Sequence, residues 1–252
     1  MLRTIFISLF LSIYILIVGP PLILYTLVTK NPDPIYWAGI NGVMFFVRLA
    51  GARVRVAGAE RIPSGTCLFV ANHTSAIDGP AVVGAIPRRI AILLKESLFR
   101  WPVVGRAFLS ARFIPVDRRS RESAMASIDK ATVALRNGQS FLIYPEGTRS
   151  PDGRLGIFKK GAVTMAINAG VFVVPVACSG AHRVMRKKSL VLHPGAIVVE
   201  FLDPVDASQY SLAQRDALND FVHDRIAAGL PAEQRPVGFA GTEEAGAGSA
   251  RP

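Results

Sequence analysis

The chain has 252 residues and a mass of 27.1 kDa, which suits one large domain and is too little for two complete ones. Half of its residues are apolar and 19% are charged, so it can fill a core, and intrinsic disorder is excluded for most of it. A formal net charge of +11 favours anionic partners such as phospholipid surfaces, phosphorylated substrates or nucleic acid, and two cysteines cannot build a disulfide framework or a zinc site.

An uncharged apolar run opens the chain. As one straight helix, residues 4–29 would be about 39 Å long, more than the roughly 30 Å hydrocarbon core of a bilayer. Pro20 and Pro21 interrupt this run, and two adjacent prolines favour a kink or break because each removes a backbone donor. A second uncharged run, residues 35–47, is rich in aromatic residues that suit the lipid headgroup level.

Three organisations of this N-terminal segment fit the pattern. It forms a two-helix membrane hairpin with residues 35–50 as the second arm, a single kinked span, or a cleaved signal peptide. The signal peptide is disfavoured because apolar sequence continues past the prolines without an evident cleavage site. Arg3 and Lys30 flank the first run evenly, so the positive-inside rule leaves its orientation open. We therefore predict a membrane-embedded helical segment over residues 1–50.

From residue 53 onward, short apolar runs alternate with amphipathic stretches. Strands are predicted at residues 53–57, 67–71, 90–94, 113–116, 141–144 and 171–176, with a closing hairpin of residues 190–193 and 196–202. Helices are predicted at residues 121–136, at residues 159–168 and after Ser211. Strands that alternate with helices indicate an α/β fold with a mostly parallel central sheet flanked by helices.

The last residues differ in composition from the rest. From Pro231 onward, 12 of 22 residues are Gly, Ala or Pro, and they show no apolar period. We therefore predict a folded domain over residues 51–230 and a disordered, dispensable tail over residues 231–252.

The first group of chemistry-bearing residues follows a predicted strand, where a parallel sheet places its ligand-binding loops. His73 and Asp78 are five residues apart, about 140° of rotation on an ideal helix, so they meet only if the chain turns between them. If they meet, Asp78 accepts from one ring nitrogen and leaves the other basic. Such a pair is the base and orienting carboxylate of a triad without its nucleophile. Alone, this spacing is more typical of a capping Asp78 beside a solvated His73.

The second group also follows an apolar run. Glu146 and Arg149 flank Gly147 and Thr148, and a glycine lets the backbone approach an anion closely. Arg149 is suited to bidentate phosphate binding. The alternative interpretation is an ordinary turn that carries an ion pair.

Taken together, the two groups resemble the motifs of the glycerolipid acyltransferase family. The family's His-x4-Asp motif is present in residues 72–78, and its Pro-Glu-Gly-Thr-Arg motif in residues 145–149. Further segments are similar to family blocks in the same order, namely residues 95–98, 113–118, 158–161 and 174–176. Pro115 is atypical for the block that ends in Arg118, but order and spacing agree across residues 60–180.

The resemblance implies transfer of a fatty acyl group from acyl-CoA or acyl-carrier protein to the sn-2 hydroxyl of 1-acyl-glycerol-3-phosphate, giving phosphatidate. A hydroxyl is a poor nucleophile and needs a base, and the developing oxyanion needs fixed donors. Backbone amides of residues 72–75 or of residues 147–148 are candidates for those donors. The implied site residues are catalytic His73 and Asp78, and substrate-binding Glu146, Gly147, Thr148, Arg149, Lys95 and Arg118.

Some roles stay open at this level. Glu146 either holds Arg149 or contacts the glycerol hydroxyl. Lys159 and Lys160 contact a phosphate or are simply solvated, and the basic runs at residues 118–121 and 186–188 face solvent, a lipid leaflet or a carrier protein. Cys67 lies within a predicted strand and is interpreted as a core residue. Neither a metal nor a cofactor is expected.

The implied partners are membrane phospholipid, lysophosphatidate and the acyl donor. Nucleic acid is not expected because no RNA- or DNA-binding motif accompanies the charge. The implied location is the inner (plasma) membrane, with the catalytic domain on the cytoplasmic face. Two alternatives remain: an acyltransferase for another lysolipid such as lyso-ornithine lipid, and a non-catalytic lipid-binding protein of the same fold.

Overall fold

The computed structural model describes residues 2–117 and 121–239, and the strands among them form one sheet. Those strands are β1 (Ala52–Ala57), β2 (Cys67–Ala71), β3 (Ala91–Lys95), β4 (Ile114–Val116), β5 (Phe141–Ile143), β6 (Phe172–Ser179), β7 (Gly195–Phe201) and β8 (Val205–Asp206). Their order is β1-β7-β6-β2-β5-β3-β4, and β8 also pairs with β6. Every pairing is parallel except those of β6 with β7 and β8, which confirms the mostly parallel sheet.

Helices flank this sheet, as predicted. They are α1 (Leu2–Thr29), α2 (Asp33–Leu49), α3 (Asp78–Ala85), α4 (Pro102–Ser110), α5 (Arg121–Arg136), α6 (Gly161–Ala169), α7 (Ala181–Val184) and α8 (Arg215–Gly229). Helices α6 and α8 pack on β6, and α5 packs on α6. The central strand β2 is buried along its whole length, which explains its uninterrupted apolar sequence.

The carboxyl ends of β2, β5, β3 and β4 meet at one edge of the sheet because these strands run in the same direction. Val70 of β2 lies opposite Ile143 of β5, and Lys95 of β3 lies opposite Val116 of β4. The two motifs, in residues 72–78 and 145–149, follow the ends of β2 and β5. The topology therefore brings segments from residues 72 to 150 to a common edge.

Helix α1 runs without interruption through Pro20 and Pro21, so the predicted break there is wrong. Packing supports the helix at this point. A Cβ on Gly19 would lie 2.5 Å from the side chain of Val103 in α4, so the two helices are in close contact beside the prolines. Packing against a neighbouring helix is one of the features that accompany prolines tolerated within a helix.

Helices α1 and α2 form an antiparallel pair, in agreement with the hairpin organisation. The ring of Tyr14 occupies the space above Gly42, and its hydroxyl donates to the carbonyl of Ala38 at 2.9 Å. Its edge also meets the ring of Phe46. Since a side chain at position 42 would displace this ring, the glycine sets the separation of the two helices.

The predicted closing hairpin is wrong in its first arm. Residues 190–194 form no strand, and β7 instead pairs with β1 and β6. The backbone N–H of His193 donates to Val184 and that of Leu192 to the hydroxyl of Thr4, so neither enters a strand ladder. Leu192 packs against the cluster of Ile7, Phe46 and Ala50, so the apolar residue is accounted for by a contact with α1 and α2 and not by a strand.

Residues 231–239 pack on the domain, which corrects the prediction of a disordered tail from Pro231. Ala232–Gln234 form a 3-10 turn, and Gln234 is only 2% exposed. Hydrogen bonds rather than an apolar stripe hold this segment, so hydrophobic periodicity does not reveal it. Residues 240–252 lie outside the described part of the chain.

The side chain of Asn72 joins β2 to β6 beyond the end of their backbone ladder. Its carbonyl oxygen accepts from the backbone N–H of Cys178 at 2.7 Å, and its amide donates to the Cys178 carbonyl at 2.9 Å. Asn72 is fully buried, so no water can replace these bonds.

We expect Asn72→Ala to lower the free energy of unfolding by about 2–4 kcal/mol, because two buried backbone groups of Cys178 lose their partner. Denaturant unfolding followed by circular dichroism measures the change. Asn168→Ala, at an exposed position of α6, is the matched control and should change stability by less than about 0.5 kcal/mol. Equal stability of the two variants would contradict the role of Asn72.

Candidate active site

A buried carboxylate organises the turn between β2 and α3. Asp78 is the first residue of α3, and its Oδ2 accepts from the backbone N–H groups of Thr74 at 2.6 Å and Ser75 at 2.7 Å. The same oxygen lies 3.1 Å from Nδ1 of His73. On its other side the carboxylate contacts the Cys178 thiol, whose pKa is raised well above the ordinary value by burial and by this charge. The turn brings residues 73 and 78 together, as their spacing allows.

The ring of His73 is fixed in orientation and in tautomer. A carboxylate that already accepts two N–H bonds can only accept from Nδ1, so Nδ1 carries a hydrogen and Nε2 keeps its lone pair. Within residues 2–117 and 121–239, Nε2 has no hydrogen-bond partner. The side chain of His73 is 16% exposed, so a molecule at the surface can reach it.

Tyr144 is a site residue to which the sequence pattern assigned no role. Its ring stacks on the imidazole of His73, with centroids 4.1 Å apart and planes at 21°. Its hydroxyl is buried without a partner among the described residues. Burial, followed by the nearby charge of Asp78, raises the pKa of Tyr144 well above its usual value. The neutral ring thus restricts rotation of the imidazole. In the sequence, only its position directly before the second motif could have indicated a role for Tyr144 in the site.

Glu146 connects the two motifs. Its Oε1 accepts from the backbone N–H of His73 at 2.6 Å, and its Oε2 accepts from that of Gly156 at 3.3 Å. The described residues show no ion pair between Glu146 and Arg149, so the first proposed role of Glu146 is wrong. Burial raises the pKa of Glu146 to about 7, partly offset by the two backbone donors. The carboxyl group therefore changes charge near neutral pH.

Gly147 makes the turn that follows. It has φ +74°, in the left-handed region that favours glycine, and its N–H donates to the carbonyl of Tyr144 at 3.0 Å. A Cβ at this position would lie 3.1 Å from Nζ of Lys159. The glycine thus lets a lysine approach the backbone of the loop.

Arg149 lines a surface cavity of about 500 Å³. Glu146, Thr148 and Arg154 contribute to the same wall, and apolar side chains of Ile157 and Val237 complete it. Among the described residues, the guanidinium of Arg149 has no hydrogen bond or ion pair. An unpaired guanidinium in a cavity is a ready binding group for a phosphate or carboxylate.

The remaining predicted cations differ in their surroundings. Lys95 is exposed at the end of β3, on the same sheet edge as the two motifs. Arg118 lies outside the described residues. Lys160 forms a 2.7 Å ion pair with Asp216, which leaves Lys159 as the better placed of that pair for a ligand.

Lys187 belongs to a basic run for which the sequence indicated a solvent- or leaflet-facing surface. Its ammonium instead donates to the backbone carbonyl of Arg149. The same charge lowers the pKa of Glu146, although burial remains the stronger effect there. Sequence spacing gave no signal for this contact, because the two residues are 38 positions apart.

The backbone amides of residues 73–75 are already engaged. Those of Thr74 and Ser75 donate to Asp78, and that of His73 donates to Glu146. They are therefore not free to bind an oxyanion, which removes three of the four amides of the first predicted donor set. Of the second set, the N–H of Thr148 has no partner among the described residues. Across the described part of the chain, no group of three His, Cys, Asp or Glu residues is placed to hold a metal ion.

Comparison with known proteins relates this arrangement to a family. A family model described as acyltransferase matches residues 53–179. A 1-acyl-sn-glycerol-3-phosphate acyltransferase from Limnanthes douglasii is 30% identical over 200 residues, which cover 79% of this chain and 70% of that protein. One from Borreliella burgdorferi is 32% identical over 180 residues, covering 71% of this chain and 72% of that protein.

The fold has a counterpart of known structure. The crystal structure of the 1-acyl-sn-glycerophosphate acyltransferase PlsC from Thermotoga maritima matches with a TM-score of 0.76 and 24% identity. The match covers 90% of this chain and 94% of that one. Together with the family model and the two relatives, it confirms the resemblance seen in the sequence: the chain belongs to the acyltransferase family.

Proposed function

We propose that this protein transfers a fatty acyl group from an acyl thioester to the sn-2 hydroxyl of 1-acyl-glycerol-3-phosphate, giving phosphatidate. The observation that carries the proposal is the His73–Asp78 pair with its free Nε2, held by the backbone of His73 to the loop that carries the unpaired Arg149. The backbone N–H of Ser150 donates to the His73 carbonyl at 2.7 Å, which joins the two parts. The names of the relatives from Limnanthes and Borreliella support the same substrate.

The proposed reaction is a direct transfer without an acyl-enzyme. Nε2 of His73 accepts the proton of the hydroxyl while the hydroxyl oxygen bonds to the thioester carbonyl carbon. Collapse of the tetrahedral intermediate breaks the carbon–sulfur bond, and the departing thiolate takes the proton from the imidazolium. Asp78 stabilises the imidazolium and keeps Nδ1 protonated.

Two kinds of donor complete the proposed site. The N–H of Thr148 is the candidate donor to the tetrahedral oxyanion, because the amides of residues 73–75 are engaged elsewhere. Arg149 binds the acceptor phosphate. Lys95, at the same sheet edge, and Arg118, which lies outside the described residues, are the proposed supporting cations. Glu146, no longer assigned to hold Arg149, is the candidate contact for the glycerol hydroxyl.

The donor is acyl-CoA or acyl-carrier protein, and the proposed chemistry uses no metal and no cofactor. Each step requires only a base, an oxyanion donor and a cation, all of which the named side chains and amides supply. Cys67 is buried in β2, in keeping with its assignment to the core rather than to an acyl-enzyme.

The N-terminal helix α1 is long and apolar enough to cross a membrane, which indicates membrane association. Two points on it nevertheless contact the rest of the protein: Thr4 near Leu192, and Gly19 at Val103. These points are 15 residues apart, or about 22 Å along the helix. We propose that α1 lies along the catalytic domain and enters one leaflet, because a perpendicular span would draw the domain into the hydrocarbon.

The outward face of α1 fits such a position. Its large apolar side chains are exposed. In the adjoining α4, Leu109 is 57% exposed, and Trp101, directly before that helix, is 62% exposed. Burial of this surface in lipid stabilises the association, and a tryptophan suits the headgroup level. We place the catalytic domain on the cytoplasmic face of the inner membrane, where acyl thioesters of CoA or carrier protein are available.

We expect the purified protein to transfer radiolabelled acyl groups from acyl-CoA to lysophosphatidate, and His73→Ala to lower the rate by about 10²–10⁴-fold because the base is lost. Product analysis by thin-layer chromatography measures the transfer, with lysolipids that lack phosphate in the same panel. His193→Ala, outside the site, is the matched control.

Different outcomes of this panel have different meanings. Transfer to a phosphate-free lysolipid but not to lysophosphatidate would reject the proposed acceptor while leaving the chemistry in place. Full activity of His73→Ala would reject the assignment of the base. Vesicle flotation should show equal membrane association of both histidine variants, since neither change touches α1.

We expect the stability of the native protein, relative to Glu146→Gln, to fall as the pH rises from about 4.5 through 7. The raised pKa means that the folded state binds the proton more tightly, so the stabilisation by protonation is complete below the unfolded pKa and lost above the folded one. The effect is at most about 3 kcal/mol. Thermal unfolding in detergent micelles at several pH values measures it; a difference that is constant with pH would contradict the raised pKa.

We expect cysteines introduced by Arg3→Cys and Lys30→Cys to react with a membrane-impermeant maleimide from the same side of sealed vesicles. These positions flank the apolar run, so a spanning α1 would place them on opposite sides. Ser208→Cys, exposed on the catalytic domain, marks the domain's side. The two native cysteines are buried and give little background. Reaction of positions 3 and 30 from opposite sides would overturn the proposed placement.

A further inference from the structure

Gln234 is a buried polar residue in a segment outside the family motifs. Its side-chain oxygen accepts from the backbone N–H of Gly180 at 3.1 Å, and its side-chain amide donates to the carbonyl of Gly153 at 3.3 Å. Its backbone carbonyl accepts from the N–H of Leu155 at 2.7 Å. One residue thus joins the turn after β6 to two points of the loop formed by residues 150–156.

That loop contacts both proposed catalytic motifs. At its start, the N–H of Ser150 donates to the carbonyl of His73 at 2.7 Å. At its end, the N–H of Gly156 donates to the carboxylate of Glu146 at 3.3 Å. Within the loop, the N–H of Gly153 donates to the hydroxyl of Ser150 at 3.1 Å. Gly153, held by Gln234, is therefore one hydrogen bond from Ser150, and Leu155 is the chain neighbour of Gly156. Ser150 and Gly156 are the residues that contact the two motifs.

The C-terminal segment (residues 231–239) is tied to the same loop by further contacts. Arg154 donates to the carbonyl of Arg235 at 3.0 Å. Glu233 forms a 2.8 Å ion pair with Arg183 of α7. The side chain of Val237 then lines the cavity that contains Arg149. The segment thus forms one wall of the cavity that the proposed function assigns to the acceptor.

We propose that Gln234 is a positioning residue for acyl transfer: through residues 150–156 it fixes the His73 backbone and the Glu146 carboxylate, and it holds the C-terminal segment as a wall of the acceptor cavity. The inference rests on the proposed function for the identity of the acceptor. The side chain of Gln234 is buried and does not line the cavity that contains Arg149, so its effect is exerted through the loop.

A purely structural role and a positioning role predict different kinetics. If Gln234 only stabilised the fold, its replacement would lower the amount of active enzyme and leave both KM values unchanged. If it positions the loop, the folded enzyme itself is altered on the acceptor side. A misplacement of about 1 Å in such a site lowers the rate by up to roughly 100-fold.

The test uses full-length enzyme in detergent micelles with two variants. Gln234→Leu fills a similar volume without the donor and acceptor, and Gln234→Glu keeps the acceptor for Gly180. Gln209→Leu, at an exposed position, is the matched control. Circular dichroism gives the folded fraction, and assays are run well below the unfolding temperature. Truncations after Leu230 and after Phe239 separate the C-terminal segment from residues 240–252.

We expect Gln234→Leu and truncation after Leu230 to lower kcat/KM for lysophosphatidate by about tenfold or more, with KM for the acyl donor within about twofold of the wild type. Gln234→Glu should lose less, and Gln209→Leu and truncation after Phe239 should match the wild type. Unchanged kinetics of Gln234→Leu, or a loss fully explained by the folded fraction, would overturn the proposal.

Failure of this proposal is distinct from failure of the proposed function. If the wild type acylates another lysolipid, the same comparison is made with that acceptor, and a selective loss in Gln234→Leu still supports the positioning role. If wild type and Gln234→Leu act equally on the preferred lysolipid, the positioning role is rejected whichever lipid that is.

Discussion

The site depends on one buried carboxylate. A charge in the protein interior is tolerated only where hydrogen bonds replace its hydration, and Asp78 obtains them from Thr74, Ser75 and His73. These bonds require the chain to turn tightly between β2 and α3. This chain turn determines which face of the imidazole is accessible and which ring nitrogen carries the hydrogen. The same interaction that allows the charge to be buried therefore also prepares the base.

The sheet supplies the second requirement, which is that distant segments meet. Because β2, β5 and β3 are parallel neighbours, the residues that follow them emerge at one edge. Glu146 then joins two of these segments by accepting from the backbone of His73. Tyr144, from the same strand end, stacks on the imidazole. Glu146 and Tyr144 thus fix His73 from the segment that follows β5, and Asp78 fixes it from the start of α3.

The sequence predicts those features that depend on local pattern. Apolar runs and turns located most strands and the parallel sheet, and the two motifs located the loops that meet at its edge. Contacts between distant positions escaped this reasoning. Pro20 and Pro21 indicate a break by their local propensity, which does not include the packing of α4 against the helix at this point. The partners of Glu146 are backbone groups, which any residue type provides. Gln234 lies in a stretch whose composition resembles a tail, and only hydrogen bonds mark its burial.

The ionisation of Glu146 links the site to the composition of the leaflet. A surface potential of roughly −30 mV concentrates protons and lowers the interfacial pH by about half a unit. A carboxyl group with a pKa of about 7 responds to a change of that size. An anionic product such as phosphatidate makes the surface around it more negative. For an enzyme of the proposed function at a leaflet, the charge of Glu146 would then depend on the local lipid composition as well as on the bulk pH, which a detergent assay at fixed pH does not reproduce.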